Sequence, residues 1–266
     1  MTMSQEEERD QAIELQDREL AEPGGKLRLH VEGALATGGS IAPTTDQEHY
    51  LLRVMRAEDG DRVSLFNGKD GEWLARIVLI GKRRCALVLE SQTKVQEDVP
   101  DLWLIFAPIK RTPADFVAQK AVELGVRCLQ PVLTHRTIAR RVNPARLRAN
   151  AVEAAEQSGR LSVPEIGELV RLPDLLRKWP ATRKLIFCDE SGEAPPIASA
   201  LAEIGRTSDS WAILTGPEGG FDDTERALVR SLPYVIPVTL GPRIMRADTA
   251  ALAALAVWQA ISGDWQ

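Results

Sequence analysis

The chain has 266 residues, of which 44% are hydrophobic and 27% charged, and its formal net charge is -5. That length suggests one large domain or two ordinary ones, and the composition supports a sizeable core and excludes a chain disordered throughout. The negative balance excludes a polycation, although a nucleic-acid footprint is local and survives it.

Residues 1–25 are polar and end in Glu-Pro-Gly-Gly, which predicts an extension followed by a flexible joint. The acidic start lacks the apolar stretch of a secretory leader, and no apolar run reaches membrane-spanning length. A soluble, cytoplasmic protein without a membrane partner is expected. Cys85, Cys128 and Cys188 are far apart, as are His30, His49 and His135, so neither a metal site nor a disulfide framework is expected.

Residues 26–93 carry strand signals. "KLRLHVE" alternates, "RVSLFNG" stops at Asn-Gly, and "EWLARIVLI" and "RCALVLE" follow after turns. Residues 46–61 read as one short amphipathic helix with Leu51, Leu52 and Met55 on one face. Together they predict a small β-barrel or sandwich. The polar run 91–101 reads as a linker, and the domains are separated at 94–101.

From 102 to 266 strands and helices alternate. "LWLIFAPI" is a buried-strand run. Thr112-Pro113 starts a helix that Gly125 stops, and "CLQPVL" is the next strand. Asn143-Pro144 opens a second helix, closed by Gly159. "KLIFCD", "AIL" and "VIPVTL" are short apolar strands, and a strongly apolar last helix is capped by Asp248 or Thr249. This predicts an α/β domain with a mostly parallel sheet.

Two loops stand out. "LTGPEGGFDD" (214–223) lacks the Gly-Lys-Ser/Thr of a phosphate loop, and Asp222 and Asp223 occupy the helix start where an anion would sit. Its glycines serve a tight turn or lay bare peptide groups against a ligand. "LGPRIMRADT" (240–249) repeats the grammar: strand, Gly-Pro, loop, capped helix. Two such loops on one parallel sheet lie at the carboxyl ends of strands, where open α/β sheets bind ligands. His135, Arg136, Arg140, Arg141, Arg146, Arg148 and Arg160 form a locally basic stretch suited to phosphates, with a weaker patch at Arg53, Arg56 and Arg62.

These two loops, with "KRTPADFVAQKAVELGV" and "EAAEQSGR" upstream and the strand-rich start, resemble RsmE-type 16S rRNA (uridine-N3) methyltransferases of the SPOUT superfamily over about residues 26–262. His30, Met245 and Ala247-Asp248 depart modestly from that pattern. The resemblance implies an N-terminal PUA-like barrel and a C-terminal domain with a deep trefoil knot at about 183–262. It implies S-adenosylmethionine as cofactor, lying between these two loops and the loop before them, and held by Leu214, Thr215, Gly216, Glu218 and Gly219 in the first Gly-Pro loop and Leu240, Gly241, Met245, Arg246 and Thr249 in the second. Leu214, Leu240 and Met245 would sandwich the adenine. Arg246 is the candidate for stabilising the anion of the deprotonated base. Glu218 stays open between proton acceptor and loop strut. Arg28, Arg53 and Arg56 on the barrel and Lys110, Arg111, Arg136 and Arg160 elsewhere are the RNA-binding candidates. The implied partners are 16S rRNA in an assembled small subunit and a second copy of the chain. The rival readings are a SPOUT enzyme acting on another RNA position or a tRNA, and a non-catalytic ribosome-assembly factor.

Overall fold

A computed structural model describes residues 27–81, 83–109, 112–205 and 210–265, except for the side chains of 112 and 113. The N-terminal extension and two RNA-binding candidates, Lys110 and Arg111, lie outside the described residues. The chain divides into two compact units. One runs through Asp98 and includes Ala155–Ser162; the other comprises Val99–Ala154 and Val163–Gln266.

In the first unit, β1 (Arg28–His30), β2 (Ser40–Ile41), β3 (Arg62–Phe66), β4 (Glu72–Ile80) and β5 (Arg84–Lys94) form a sheet in the order β1-β3-β4-β5-β2. Only the β1–β3 pair is parallel. Alternate residues of β5, Cys85, Leu87 and Leu89, point into the same core as Val63, Leu65, Ala75 and Ile77, as the two-residue period of a strand requires. β5 stays paired with β4 as far as Lys94, so residues 91–94 are strand and not linker. The single helix expected over 46–61 is instead α1 (Thr45–His49), started by a Thr44/Gln47 capping box, and a π-helical turn at Tyr50–Val54. Met55 N–H reaches back five residues to Tyr50 O, and Arg56 then ends the coil with φ 54°.

Arg28, a candidate for RNA binding, is turned into the first unit. Its side chain is 8% exposed, with Nε 2.6 Å from the buried Glu72 carboxylate. The rest of the guanidinium donates to the carbonyls of Ala155, Glu156 and Arg160. With four internal acceptors for its five N–H donors and 8% of its side chain exposed, the fork is poorly placed to take a phosphate.

The second unit contains β6 (Leu102–Phe106), α2 (Thr112–Glu123), β7 (Cys128–Leu133), α3 (Pro144–Ser158), β8 (Glu165–Ile166), β9 (Val170–Arg171) and α4 (Leu172–Arg177). Then follow β10 (Lys184–Cys188), α5 (Ile197–Ile204), β11 (Trp211–Thr215), α6 (Asp223–Arg230), β12 (Val235–Val238) and α7 (Ala247–Ile261). Every strand pairing here is parallel, in the order β12-β10-β11-β6-β7-β8, with β9 also on β7. Successive residues serve opposite faces. Leu104, Ile186 and Ile213 enter one core with Trp258 of α7, whereas Ile105, Leu185, Phe187 and Leu214 enter the other with Phe221. Strands buried on both faces explain the continuous apolar runs of the sequence. Among the described residues no helix is long and apolar enough to cross a membrane.

The strand order matters for function. From β10 the chain goes to β11 on one side, then crosses back to β12 on the other. β10 is therefore a topological switch point, where connections leave in opposite directions and a crevice opens at the carboxyl ends.

Candidate active site

β12, β10 and β11 end side by side at Val238, Cys188 and Thr215. The three loops that leave them line one pocket of about 340 Å³. The loop after β10 contributes Cys188–Gly192, that after β11 contributes Thr215–Glu218 and Gly220, and that after β12 contributes Thr239–Met245, with Ala247 and Ala250 of α7 beyond it.

Of the residues singled out in the sequence, Thr215, Gly216, Glu218, Leu240, Gly241 and Met245 meet on this pocket. Leu214 does not. It is fully buried among Phe187, Phe221 and Val229 on a core face of the sheet, because strand alternation turns it away from its neighbour Thr215. Gly219 lies on the outer side of its loop, where its carbonyl accepts from Arg136 Nη1 at 3.0 Å. Arg246 and Thr249 are exposed and are not part of the pocket wall. Arg246, not Asp248 or Thr249, is the N-cap of α7; its carbonyl accepts from Ala250 N–H at 2.8 Å. Asp248 sits in the first turn and accepts from Thr249 N–H.

The glycines of the first loop now have physical reasons. A Cβ on Gly216 would stand 2.7 Å from the Phe221 ring, so the loop closes onto that ring only because no side chain intervenes. Gly220 turns with φ +68°, and its Cα side abuts Glu190. The next helix starts at Asp222, whose carboxylate accepts from Glu225 N–H at 2.8 Å. That amide holds the Asp222 carboxyl below its ordinary value, and His135 Nδ1 lies 3.1 Å away. The anion position of α6 is thus filled by the chain's own carboxylate.

The third loop carries a charge cluster whose residues the sequence does not single out. Asp189, whose side chain is fully buried, receives Arg226 Nε at 3.2 Å, Arg230 Nε at 2.7 Å and Ser191 N–H at 3.0 Å. Burial acts to raise this carboxyl, but the Ser191 amide and Arg230 outweigh it and hold the group below its ordinary value. Glu190 Oε1 accepts from Arg226 Nη2 and from Phe221 N–H. Burial pushes the Cys188 thiol up to about 12, so it contributes a small apolar surface rather than a nucleophile. The signal for this third loop was present: Asp-Glu-Ser-Gly directly follows the apolar run 184–188.

The wall combines bare peptide at Gly216 and Gly241, apolar surface at Leu240, Ile244 and Met245, carboxylates at Glu190 and Glu218, and the guanidinium of Arg243. Such a lining suits a flat apolar ring carried by a zwitterionic ligand and lacks the lysine of a phosphate cradle. The basic candidates are dispersed. Arg53 and Arg56 are exposed in the first unit, Arg160 places Nε 3.3 Å from Ser162 Oγ, and Arg136 is exposed in the second unit while bonded to Gly219.

Residues 96–259 match a family described as an RNA methyltransferase domain, and residues 43–90 match an RNA methyltransferase PUA domain. The ribosomal RNA small subunit methyltransferase E of Rickettsia conorii is 33% identical over 230 residues, covering 86% of this chain and 93% of its own. Its counterpart from Synechocystis is 30% identical, over 86% of this chain and 76% of its own. The crystal structure of ribosomal RNA small subunit methyltransferase E from Neisseria gonorrhoeae, bound to S-adenosyl methionine, superposes with a TM-score of 0.80 at 30% identity, covering 90% of this chain and 99% of that one. A putative methyltransferase from Legionella pneumophila in complex with the same cofactor gives 0.78 at 29% identity, over 90% and 98%.

Proposed function

Because this chain belongs to the RNA methyltransferase family, we propose that it transfers a methyl group from S-adenosylmethionine to N3 of a uridine in 16S ribosomal RNA. The observation that carries this reading is the pocket at the switch point of the parallel sheet, built from three strand-end loops, in a chain whose relatives of known structure hold that cofactor.

When bound, the cofactor supplies an electrophilic methyl group. This chain's residues do the rest. Gly216 and Gly241 present unobstructed peptide groups for reading an adenine edge, and Leu240, Ile244 and Met245 offer apolar faces to its ring. Glu218 places negative charge on the wall where a cationic sulfonium can lie. N3 of uridine carries a proton and is a poor nucleophile until that proton leaves. Glu218, exposed at the pocket, is the candidate acceptor, and Arg246, beside Met245, is the candidate for stabilising the charge that spreads to O2 and O4. Positioning supplies most of the remaining rate.

The same reading extends to architecture and setting. Residues of about 183–262, which hold the crossing from β11 back to β12, are threaded as a trefoil knot. The enzyme works as a cytoplasmic homodimer on an assembled small subunit. The 95% exposed Ile244, next to the pocket, supports a second chain covering that edge.

The deciding experiment incubates the protein with labelled S-adenosylmethionine and small ribosomal subunits lacking the modification, then maps the labelled base by mass spectrometry. Label at N3 of one uridine is the expected result. Label elsewhere in rRNA, or only in tRNA, would replace the target. No transfer, with no thermal stabilisation by S-adenosylhomocysteine, would favour the non-catalytic assembly factor.

A further inference from the structure

A methyl donor in the first pocket needs an acceptor within reach, and the sheet offers a second cavity next to it. Thr215, on the wall of the first pocket, and Phe106, on the wall of the second, are register partners on β11 and β6. Neighbouring strands lie about 4.8 Å apart, so the two cavities flank a single strand-to-strand step. Just beyond it Ala107 N–H donates to Thr215 O at 3.3 Å, which holds the step closed.

The second cavity has a volume of about 550 Å³. Ile109, Val142 and Leu147 give it aliphatic walls. Its rim is charged. Arg141 and Arg146 are exposed there, and Asp115 holds Arg146 and the Asn150 amide. One chain segment runs from the outside of the glycine loop to the second cavity. At one end His135 N–H donates to Glu225 Oε1 at 2.7 Å and Arg136 binds Gly219 O, both on the glycine loop and the helix after it. At the other end Ala139, Arg141 and Val142 border the second cavity.

We propose that this second cavity receives the acceptor base, a pyrimidine turned out of an RNA strand, with its flanking phosphodiesters on Arg141 and Arg146. The inference rests on the methyltransferase reading and adds the substrate site to it. Enzymes that act on a base take it out of its stack and hold its faces between apolar side chains. Aliphatic walls below an arginine rim match that demand, since the base faces are apolar and the phosphates are not.

The test fills the cavity from its rim. Ala139→Trp is compared with the unaltered chain in methyl transfer to small ribosomal subunits, with S-adenosylhomocysteine affinity measured in parallel. Ala139→Trp should lower kcat/KM for subunits at least twentyfold and leave cofactor affinity within twofold. Unchanged transfer by Ala139→Trp would overturn the proposal, and so would an equal loss of cofactor affinity, which would place the effect in the glycine loop. Should Ala139→Trp melt at a lower temperature, Arg141→Glu on the exposed rim carries the test. It should raise KM for subunits at least fivefold with kcat little changed, and an unaltered KM would overturn the assignment. Failure of the unaltered chain to bind S-adenosylhomocysteine would instead count against the methyltransferase reading.

Discussion

Glu190 Oε1 accepts the Phe221 amide at 2.9 Å, tying the loop after β10 to the loop after β11. The same oxygen takes Arg226 Nη2 at 2.7 Å, so the guanidinium fixes the carboxylate and the carboxylate fixes the glycine loop. Removing the acceptor leaves the Phe221 amide without its partner, a loss of about 1–3 kcal/mol. Glu190→Ala should therefore weaken S-adenosylhomocysteine binding about tenfold by calorimetry, while Glu190→Gln, which keeps an acceptor oxygen, recovers most of it. Equal affinities for all three chains would show that the loop holds its shape without this bond.

Gly216 and Phe221 are related by contact alone. A methyl group at 216 would meet three ring carbons at 2.7, 3.1 and 3.3 Å, and the ring is fully buried. Gly216→Ala should lower stability by about 1–3 kcal/mol in urea unfolding, the usual range for overpacking. Adding Phe221→Leu should recover cofactor binding that Gly216→Ala loses. If the double variant binds no better than the single, the glycine is needed at the ligand and not at the ring.

Much of this is legible in the sequence. The apolar run 128–133 is β7 to the residue, and the two Gly-Pro loops do meet on one pocket, because strand ends and turn residues are local properties. The side chain of Leu214 was misplaced because a run apolar on both faces has no alternation to show which residue points where. The resemblance points to a loop before the two Gly-Pro loops but names none of its residues, because which strands are neighbours is a tertiary fact; Asp-Glu-Ser-Gly reads as an ordinary turn until β10 is known to lie between β11 and β12. Arg28 was assigned to RNA because its partners Glu72, Ala155, Glu156 and Arg160 are distant in sequence. The π-helical turn at Tyr50–Val54 has no periodic signature over five residues.

Asp189 makes stability depend on pH in a defined direction. Its folded carboxyl is held below its ordinary value, so its contribution is complete above the unfolded value of about 3.9 and is lost as pH falls through the folded one. Asp189→Asn strands Arg226 and Arg230 without their buried partner and should cost about 3 kcal/mol at pH 7. Below about pH 4 the unaltered chain also loses this term. Urea titrations at pH 7 and pH 3 should therefore show the gap between the two chains narrowing in acid. A gap that widened would place the acid-sensitive group elsewhere.

The arginines of the first unit separate by burial. Arg53 and Arg56 are exposed, so Arg53→Ala with Arg56→Ala should leave folding intact and weaken RNA binding. If each contacts one phosphate, the slope of log affinity against log salt becomes shallower by about 0.7 per residue, the single-strand value. Arg28→Ala should do the reverse. It leaves the 1% exposed Glu72 carboxylate without its closest partner and costs about 3–5 kcal/mol of stability, with the salt slope of the surviving folded protein unchanged. A salt slope that moved with Arg28 and not with Arg53 and Arg56 would return Arg28 to the RNA surface.

Arg246 sits between Met245 and Ala247, both on the pocket, and its guanidinium makes no hydrogen bond among the described residues. Its backbone, not its side chain, starts α7, so truncation leaves the helix cap in place. A free cation beside the pocket can meet charge that develops only as N3 loses its proton, an interaction that acts on turnover and not on ground-state binding. Arg246→Ala should lower kcat about a hundredfold, within the range for removing one such stabilising group, and keep S-adenosylhomocysteine affinity within twofold. Arg246→Lys should recover part of the loss by restoring charge without the bidentate fork. A fall in cofactor affinity as large as the fall in kcat would make Arg246 a cofactor ligand instead, and full turnover by Arg246→Ala would move anion stabilisation to another group, with Arg243 on the same loop the next to be tested.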